Sequence, residues 1–246
     1  MKTQKGVLLL AVGNKSYAGW AVNLAASLHF YSPGLTIDII VDSVTDAAIA
    51  GMERSLFSRV VHIRPSDMHD SDGVFAPGKA KLSLYGYSRF EQTIYIDADS
   101  CVCRDISPLF DELAGSPVKS QALSFVTEKD TDWGCHWMPF GEARQTYWLM
   151  GEYILPVINS SFIYFEKCAE AERFFGMAKD NFIEGFKSKW GKSFPDELAF
   201  NIAAAQTGID IRIGLGSTNF PVSFDDGFDG NTYILSLYAI SAKGRK

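Results

Sequence analysis

Aliphatic residues come in short blocks along this chain, each followed by a turn and then by a stretch in which apolar positions recur every three or four residues. Residues 6–12 are almost unbroken aliphatic, which predicts a strand covered on both faces in the middle of a sheet. Gly13-Asn14 predicts a turn. Trp20, Ala21, Leu24, Leu28 and Tyr31 then lie at helical spacing over about residues 17–31, until Ser32-Pro33-Gly34 stops the helix. Residues 36–41 form a second aliphatic strand that ends at Asp42. A helix over 45–56, a short strand over 59–63, a helix over 79–90 and a buried strand over 93–96 follow, and residues 105–110 read as a turn into a short helix. Strand, helix and strand joined by short turns make the right-handed parallel crossover unit, so the predicted fold class is α/β.

The strand over 93–96 runs straight into Asp97-Ala98-Asp99, two carboxylates one residue apart, with Asp105 a few positions further on. Open α/β sheets bind ligands at the carboxyl ends of their strands. Two carboxylates there supply hard oxygen donors that can share Mn²⁺ or Mg²⁺ and leave positions open for diphosphate oxygens. The same letters also serve to end a strand and cap a turn. Lys81 lies one helix and one strand earlier, where its ammonium could return over the strand end and balance a phosphate, or stand as a solvated helix lysine. Residues 67–73 are acidic, but they fall in an irregular segment without matching partners and read as a solvated loop.

Composition narrows the partners. A hydrophobic content of 47% in 246 residues is ample for a sizeable core. A net charge of −6 without a basic stripe argues against a general nucleic-acid binder. The apolar run near the start is shorter than a membrane span and reads as a first strand, so neither a transmembrane segment nor a signal peptide is expected. Cys101, Cys103, Cys135 and Cys168 lack zinc spacing and read as reduced packing residues of a cytoplasmic protein.

Lys81-Leu82, Tyr95-Ile96-Asp97-Ala98-Asp99-Ser100 and Asp105-Ile106 followed by Leu109-Phe110 together resemble the core of the family 8 glycosyltransferases, the group that includes glycogenin and bacterial lipopolysaccharide galactosyltransferases. Ile158-Asn159-Ser160-Ser161, continuing to Phe165, resembles that family's Asn-Ala/Ser-Gly strand, and Pro195-Asp196-Glu197 with Asn201 resembles its Asp-Gln-x-x-x-Asn helix start. In order and spacing the resemblance covers roughly residues 5–201. It implies a single GT-A, Rossmann-like domain over 1–246 with a mixed, mostly parallel central sheet. Within it, 1–110 would form the nucleotide-binding half and 111–246 the acceptor and sugar half. The implied activity is a retaining transfer of a hexose from a nucleotide sugar, a UDP-hexose, to a glycan, glycolipid or protein acceptor. The implied cofactor is Mn²⁺ (or Mg²⁺) on Asp97 and Asp99, bridging the diphosphate, whose growing negative charge a metal ion stabilises as the nucleotide departs.

The same resemblance assigns roles to single positions. Asp97, Ala98 and Asp99 would bind the donor, Asp97 also near the ribose, and Lys81 would sit by the phosphates or the donor sugar. Val12, Asn14 and Tyr17 match the family's nucleobase pocket, where an aromatic ring stacks on uracil, although a half-buried aromatic at a helix start gives the same letter. Asp42 is expected to add to that pocket. Asn159, Asp196 and Glu197 would build the sugar side, bonding hexose hydroxyls and steadying positive charge at the anomeric carbon.

Two departures from the family pattern bear on this reading. Glu197 stands where the family commonly has Gln, so that a carboxylate alters sugar choice or supplies a nucleophile or base. Asp196 and Glu197 behind Pro195 also suit the first turn of a helix. The family's C-terminal His-x-x-Gly-x-x-Lys, which gives a third metal ligand and a diphosphate lysine, is incomplete: with Lys243 as its lysine, Leu237 and Ile240 occupy the His and Gly places. Water, substrate oxygens, Asp225 or Asp226 would then complete the metal shell. The alternative is a catalytically degenerate nucleotide-sugar or glycan-binding protein. None of His29, His62, His69 and His136 falls where it could serve. The aromatic residues Trp133, Trp137, Phe140, Tyr147, Trp148 and Tyr153, within about 127–155, either fill a core or stack on sugars as an acceptor wall. A sugar-1-phosphate nucleotidyltransferase would need a glycine-rich basic first loop, and a dinucleotide dehydrogenase a Gly-x-Gly-x-x-Gly; neither is present. Homo-oligomerisation stays open.

Overall fold

The computed structural model describes residues 4–126, 155–184, 194–211, 213, 222–223 and 233–236. In chain order the strands are β1 (Lys5–Ala11), β2 (Thr36–Val41), β3 (Arg59–His62), β4 (Gln92–Ile96), β5 (Ser100–Val102), β6 (Val118–Val126), β7 (Leu155–Glu166), β8 (Val222–Ser223) and β9 (Ile234–Ser236). The helices are α1 (Ser16–Tyr31), α2 (Ser43–Ala50), α3 (Pro77–Leu82), α4 (Leu84–Tyr87), α5 (Ser107–Glu112), α6 (Ala169–Asp180) and α7 (Asp196–Thr207). Six strands form one sheet in the order β3-β2-β1-β4-β7-β6. The first four run parallel, and β7 and β6 add antiparallel pairings. A small sheet places β9 between β5 and β8. The fold is therefore α/β, with the mixed, mostly parallel sheet that was expected.

The unbroken aliphatic strands owe their composition to burial on both faces. Val7, Leu9 and Ala11 of β1 join Ile37, Ile39 and Val41 of β2 in one core, against Ala21, Leu24 and Leu28 of α1. Leu8 and Ile40 face the other way, into a core shared with Phe174 and Phe175 of α6 and Leu198 and Ile202 of α7. In α6, Ala171, Phe174, Phe175 and Ala178 lie on one stripe, and the Phe174 ring stacks on that of Phe200 at 5.7 Å.

Polar side chains set the turns at the carboxyl edge of the sheet. Asp42 caps α2: its Oδ1 accepts the Thr45 N–H at 2.8 Å, and Thr45 Oγ1 accepts the Asp42 N–H at 3.1 Å. Asp42 Oδ2 accepts the Gly13 N–H at 2.6 Å, tying the β1 turn to the β2 end. Gly13 has φ +85°, and a Cβ there would lie 2.3 Å from the Phe75 ring, so this turn requires glycine. Burial opposes ionisation of Asp42, but the N–H groups of Thr45 and Gly13 outweigh it and hold the carboxyl below its usual value. Thr45→Ala, which removes half of the cap and a hydroxyl 2.6 Å from the Ala11 carbonyl, is expected to cost about 1–2 kcal/mol in urea unfolding.

Three local expectations are corrected. The helix over 45–56 starts at Ser43, because Asp42 caps it, and ends at Ala50, before Gly51; residues 54–56 form a separate 3₁₀ turn. The helix over 79–90 is broken at Ser83 into α3 and α4 and ends at Tyr87. Its end is pulled into extended backbone at Ser88, whose hydroxyl is 2.7 Å from that of Thr93. The loop over 67–73 is not wholly solvated, since Asp67 is buried against the Tyr87 hydroxyl at 2.6 Å and the Arg64 guanidinium at 2.8 Å.

Candidate active site at the carboxyl edge of the sheet

Parallel pairing puts the ends of β1, β2 and β4 along one edge. Strand β7 runs the other way and brings its early residues to the same edge, where the Asp97 N–H bonds the Ser161 carbonyl at 2.9 Å. Helix α7 packs on β7 and starts there, behind Pro195. Helix α3 closes the group through Gly78, where a Cβ would lie 3.1 Å from the Phe194 carbonyl and 3.3 Å from the Asp196 nitrogen. That close approach sets Lys81 beside Asp196.

Lys81 is the hub. Its Nζ straddles the Asp97 carboxylate, 2.9 Å from Oδ1 and 3.0 Å from Oδ2, and lies 3.3 Å from Asp196 Oδ2. It also donates to Ser160 Oγ at 3.1 Å, and Ser160 Oγ donates to Asp196 Oδ2 at 2.7 Å. The buried Tyr95 hydroxyl donates to Asp97 Oδ1. Burial disfavours the Lys81 charge, but Asp196 and Asp97 more than compensate and hold its pKa well above the usual lysine value. Burial, and then the Asp97 charge, push the Asp99 carboxyl up to about 6.

The structure thus gathers Lys81, Asp97, Asp99 and Asp196 of the expected site residues, with Glu197 next in the chain and largely buried. Asn159 lies close by on β7, its Oδ1 accepting the Ser161 N–H at 3.0 Å. Ala98 and Val12 are buried in the core. Asn14 spends its side chain on the Ser16 N–H at the start of α1. Tyr17, on the first turn of α1, is 38% exposed and meets Trp20 edge-on at 5.2 Å. Asp42 uses both carboxyl oxygens in the cap and the Gly13 turn, and Asp105 bonds the Ser107 N–H. Lys243, Asp225, Asp226, Leu237, Ile240 and nearly all of the aromatic segment lie outside the described residues.

Ser160 and Tyr95 were not singled out in the sequence. A tyrosine in a strand buried on both sides needs a partner for its hydroxyl, which was an available signal. Ser160 stood only inside the Asn159-Ser160-Ser161 motif, and its contacts with Lys81 at 3.1 Å and Asp196 at 2.7 Å arise only where β7, α3 and α7 pack together.

The donor set suits a hard divalent cation. Asp97 and Asp99 offer carboxylate oxygens, and their mutual repulsion, felt in the raised Asp99 carboxyl, is what a cation relieves. Among the described residues no three His, Cys, Asp or Glu side chains are grouped to hold a metal ion. No helix among these residues is long and apolar enough to cross a membrane.

No protein-family profile and no curated protein matches the chain. Solved structures do match. The galactosyltransferase LgtC in complex with donor and acceptor sugar analogs aligns at TM-score 0.54 and 15% identity, over 80% of this chain and 69% of that one. An active-site Gln-to-Glu mutant of LgtC aligns at TM-score 0.57 and 14% identity, over 95% and 87%. Mouse xyloside xylosyltransferase 1, in its apo form, aligns at TM-score 0.55 and 11% identity, over 94% and 97%. With its sheet order and these alignments, the chain has the GT-A glycosyltransferase fold.

Proposed function

We propose that this protein is a metal-dependent hexosyltransferase that takes its sugar from a nucleotide donor, a UDP-hexose, and passes it with retention to a carbohydrate-bearing acceptor. The observation that carries the reading is the convergence of Lys81, Asp97, Asp99 and Asp196 on the carboxyl edge of a glycosyltransferase fold. Among the described residues three carboxylates gather with one ammonium there, a negative excess that suits a divalent cation and, through it, an anionic diphosphate.

Asp97 and Asp99 would hold Mn²⁺ or Mg²⁺, which would supply Lewis-acid stabilisation of the diphosphate's charge. Lys81 fixes the Asp97 carboxylate in place. Asp196, held by Lys81 and Ser160, presents a carboxylate beside the donor sugar, where positive charge gathers as the bond to the nucleotide breaks. Tyr17, half-exposed where α1 leaves the β1 turn, offers a ring face for the base.

Calorimetric titration of UDP with and without Mn²⁺ tests this. Binding is expected to require the metal and to weaken at least about tenfold, ~1.4 kcal/mol, in Asp99→Asn. Release of sugar from a UDP-hexose is then expected. Metal-dependent binding without turnover of any UDP-sugar would instead establish the nucleotide-sugar-binding protein that Leu237, at the family's histidine position, suggests. Binding indifferent to metal and mutation would end both readings.

A further inference from the structure

Glu197 and Asn201 stand one turn apart on the same face of α7, against β7. A Glu197 carboxyl oxygen takes the Ser160 backbone N–H, and Asn201 Oδ1 takes that of Ile158 at 3.4 Å. Their other polar atoms, Glu197 Oε2 and Asn201 Nδ2, are buried without a hydrogen-bond partner among the described residues. Glu197 is only 7% exposed. Among the described residues, three charged groups act on it. Asp196, beside it on α7, and Asp97, at the end of β4, add negative charge, and the one cation acting on it among the described residues, Lys81 on α3, is already shared between those two. A buried carboxylate with no cation of its own escapes the cost of desolvation by taking up a proton.

We propose that Glu197 is a neutral carboxylic acid in the working protein and acts as a positioning residue: it stands in for a side-chain amide, holds Ser160 beside Lys81 and Asp196, and adds no negative charge next to a bound diphosphate. A protonated carboxyl, like an amide, offers one donor edge and one acceptor edge, so it keeps the local hydrogen bonding without the charge. Burial and the Asp196 charge push this carboxyl up to about 8, against the pull of Lys81 and the Ser160 N–H. As a neutral acid it is neither nucleophile nor base. The consequence for the diphosphate rests on the glycosyltransferase reading; the protonation does not.

Infrared difference spectra between the wild-type chain and Glu197→Gln, without ligand, test the proton. A protonated-carboxyl band is expected at neutral pH, absent from the variant and fading as the pH passes about 8. Absence of the band at neutral pH overturns the proposal. Carboxyl-carbon NMR of the wild-type chain reads the same proton should the variant fail to fold. The positioning role is tested by UDP titration with Mn²⁺ across the same range. Wild-type affinity is expected to fall about tenfold as Glu197 ionises, the effect of one added charge at short range, whereas Glu197→Gln holds its affinity. Coincident pH profiles overturn the positioning role. If UDP binds neither protein at any pH, the donor reading fails while the infrared band still decides the proton.

Discussion

Asp97→Asn is expected to lower turnover of a UDP-hexose by about 10²–10³-fold, the scale seen when one preorganised group aimed at developing charge is removed. The substitution preserves shape but strips the charge from the residue on which the site converges. The Asp97 carboxylate is straddled by Lys81 at 2.9 and 3.0 Å, receives the Tyr95 hydroxyl, and is one of the two proposed metal ligands. Without it, Lys81 keeps the Ser160 hydroxyl at 3.1 Å and, as its one carboxylate partner among the described residues, Asp196 at 3.3 Å, and is drawn toward that carboxylate and away from the strand end. Its linkage has a definite sign. A lysine pKa raised above 10.5 contributes stability that is fully present below that value and is lost only as the pH climbs through the higher folded value. Wild type and variant are therefore to be compared near neutrality, where the whole Lys81–Asp97 contribution is in place. Steady-state kcat/KM decides the matter. A loss under tenfold in a folded variant would remove Asp97 from the chemistry.

Asp38→Ala is expected to destabilise the fold by about 2–3 kcal/mol without touching the site. Asp38 sits on β2 with no exposed surface and accepts from Arg59 Nε at 2.9 Å, Arg89 Nε at 2.9 Å and an Arg89 terminal nitrogen at 3.0 Å. Breaking a fully buried ion pair costs about 3–5 kcal/mol. Here the guanidiniums keep 35% and 41% of their side-chain exposure and regain water when the carboxylate goes, so the lower range applies. Urea unfolding measures the loss, and UDP affinity of the folded fraction should stay unchanged. A change under about 0.5 kcal/mol would place the cluster among surface ion pairs of little consequence.

Much of this architecture was legible in the order of the residues, because burial leaves a local trace. A strand covered on both faces is rich in apolar residues at successive positions, so β1, β2 and β4 could be read from their own letters despite the buried Asp38 and Tyr95. The Asp97-Ala98-Asp99 ending of β4 and the return of Lys81 toward it were legible for the same reason: the length of one helix and one strand largely determines where the chain comes back. The sequence also determined the glycine of the β1 turn and the aspartate of the α2 cap, though not their meeting. Asp42 read as a ligand-pocket residue, yet its carboxyl is spent on the Thr45 and Gly13 N–H groups.

Tertiary structure alone decided which polar side chains share an environment. The antiparallel β4–β7 register brought Ser160 to Lys81, and the close approach at Gly78 brought Lys81 to Asp196. The packing of α7 on β7 buried Glu197 without a cation of its own among the described residues. Periodicity records whether a position is inside or outside, because that depends on the residue's own transfer from water. Hydrogen bonds and charge pairs depend on where a partner from a distant segment arrives, and that is settled only when register and helix packing are complete.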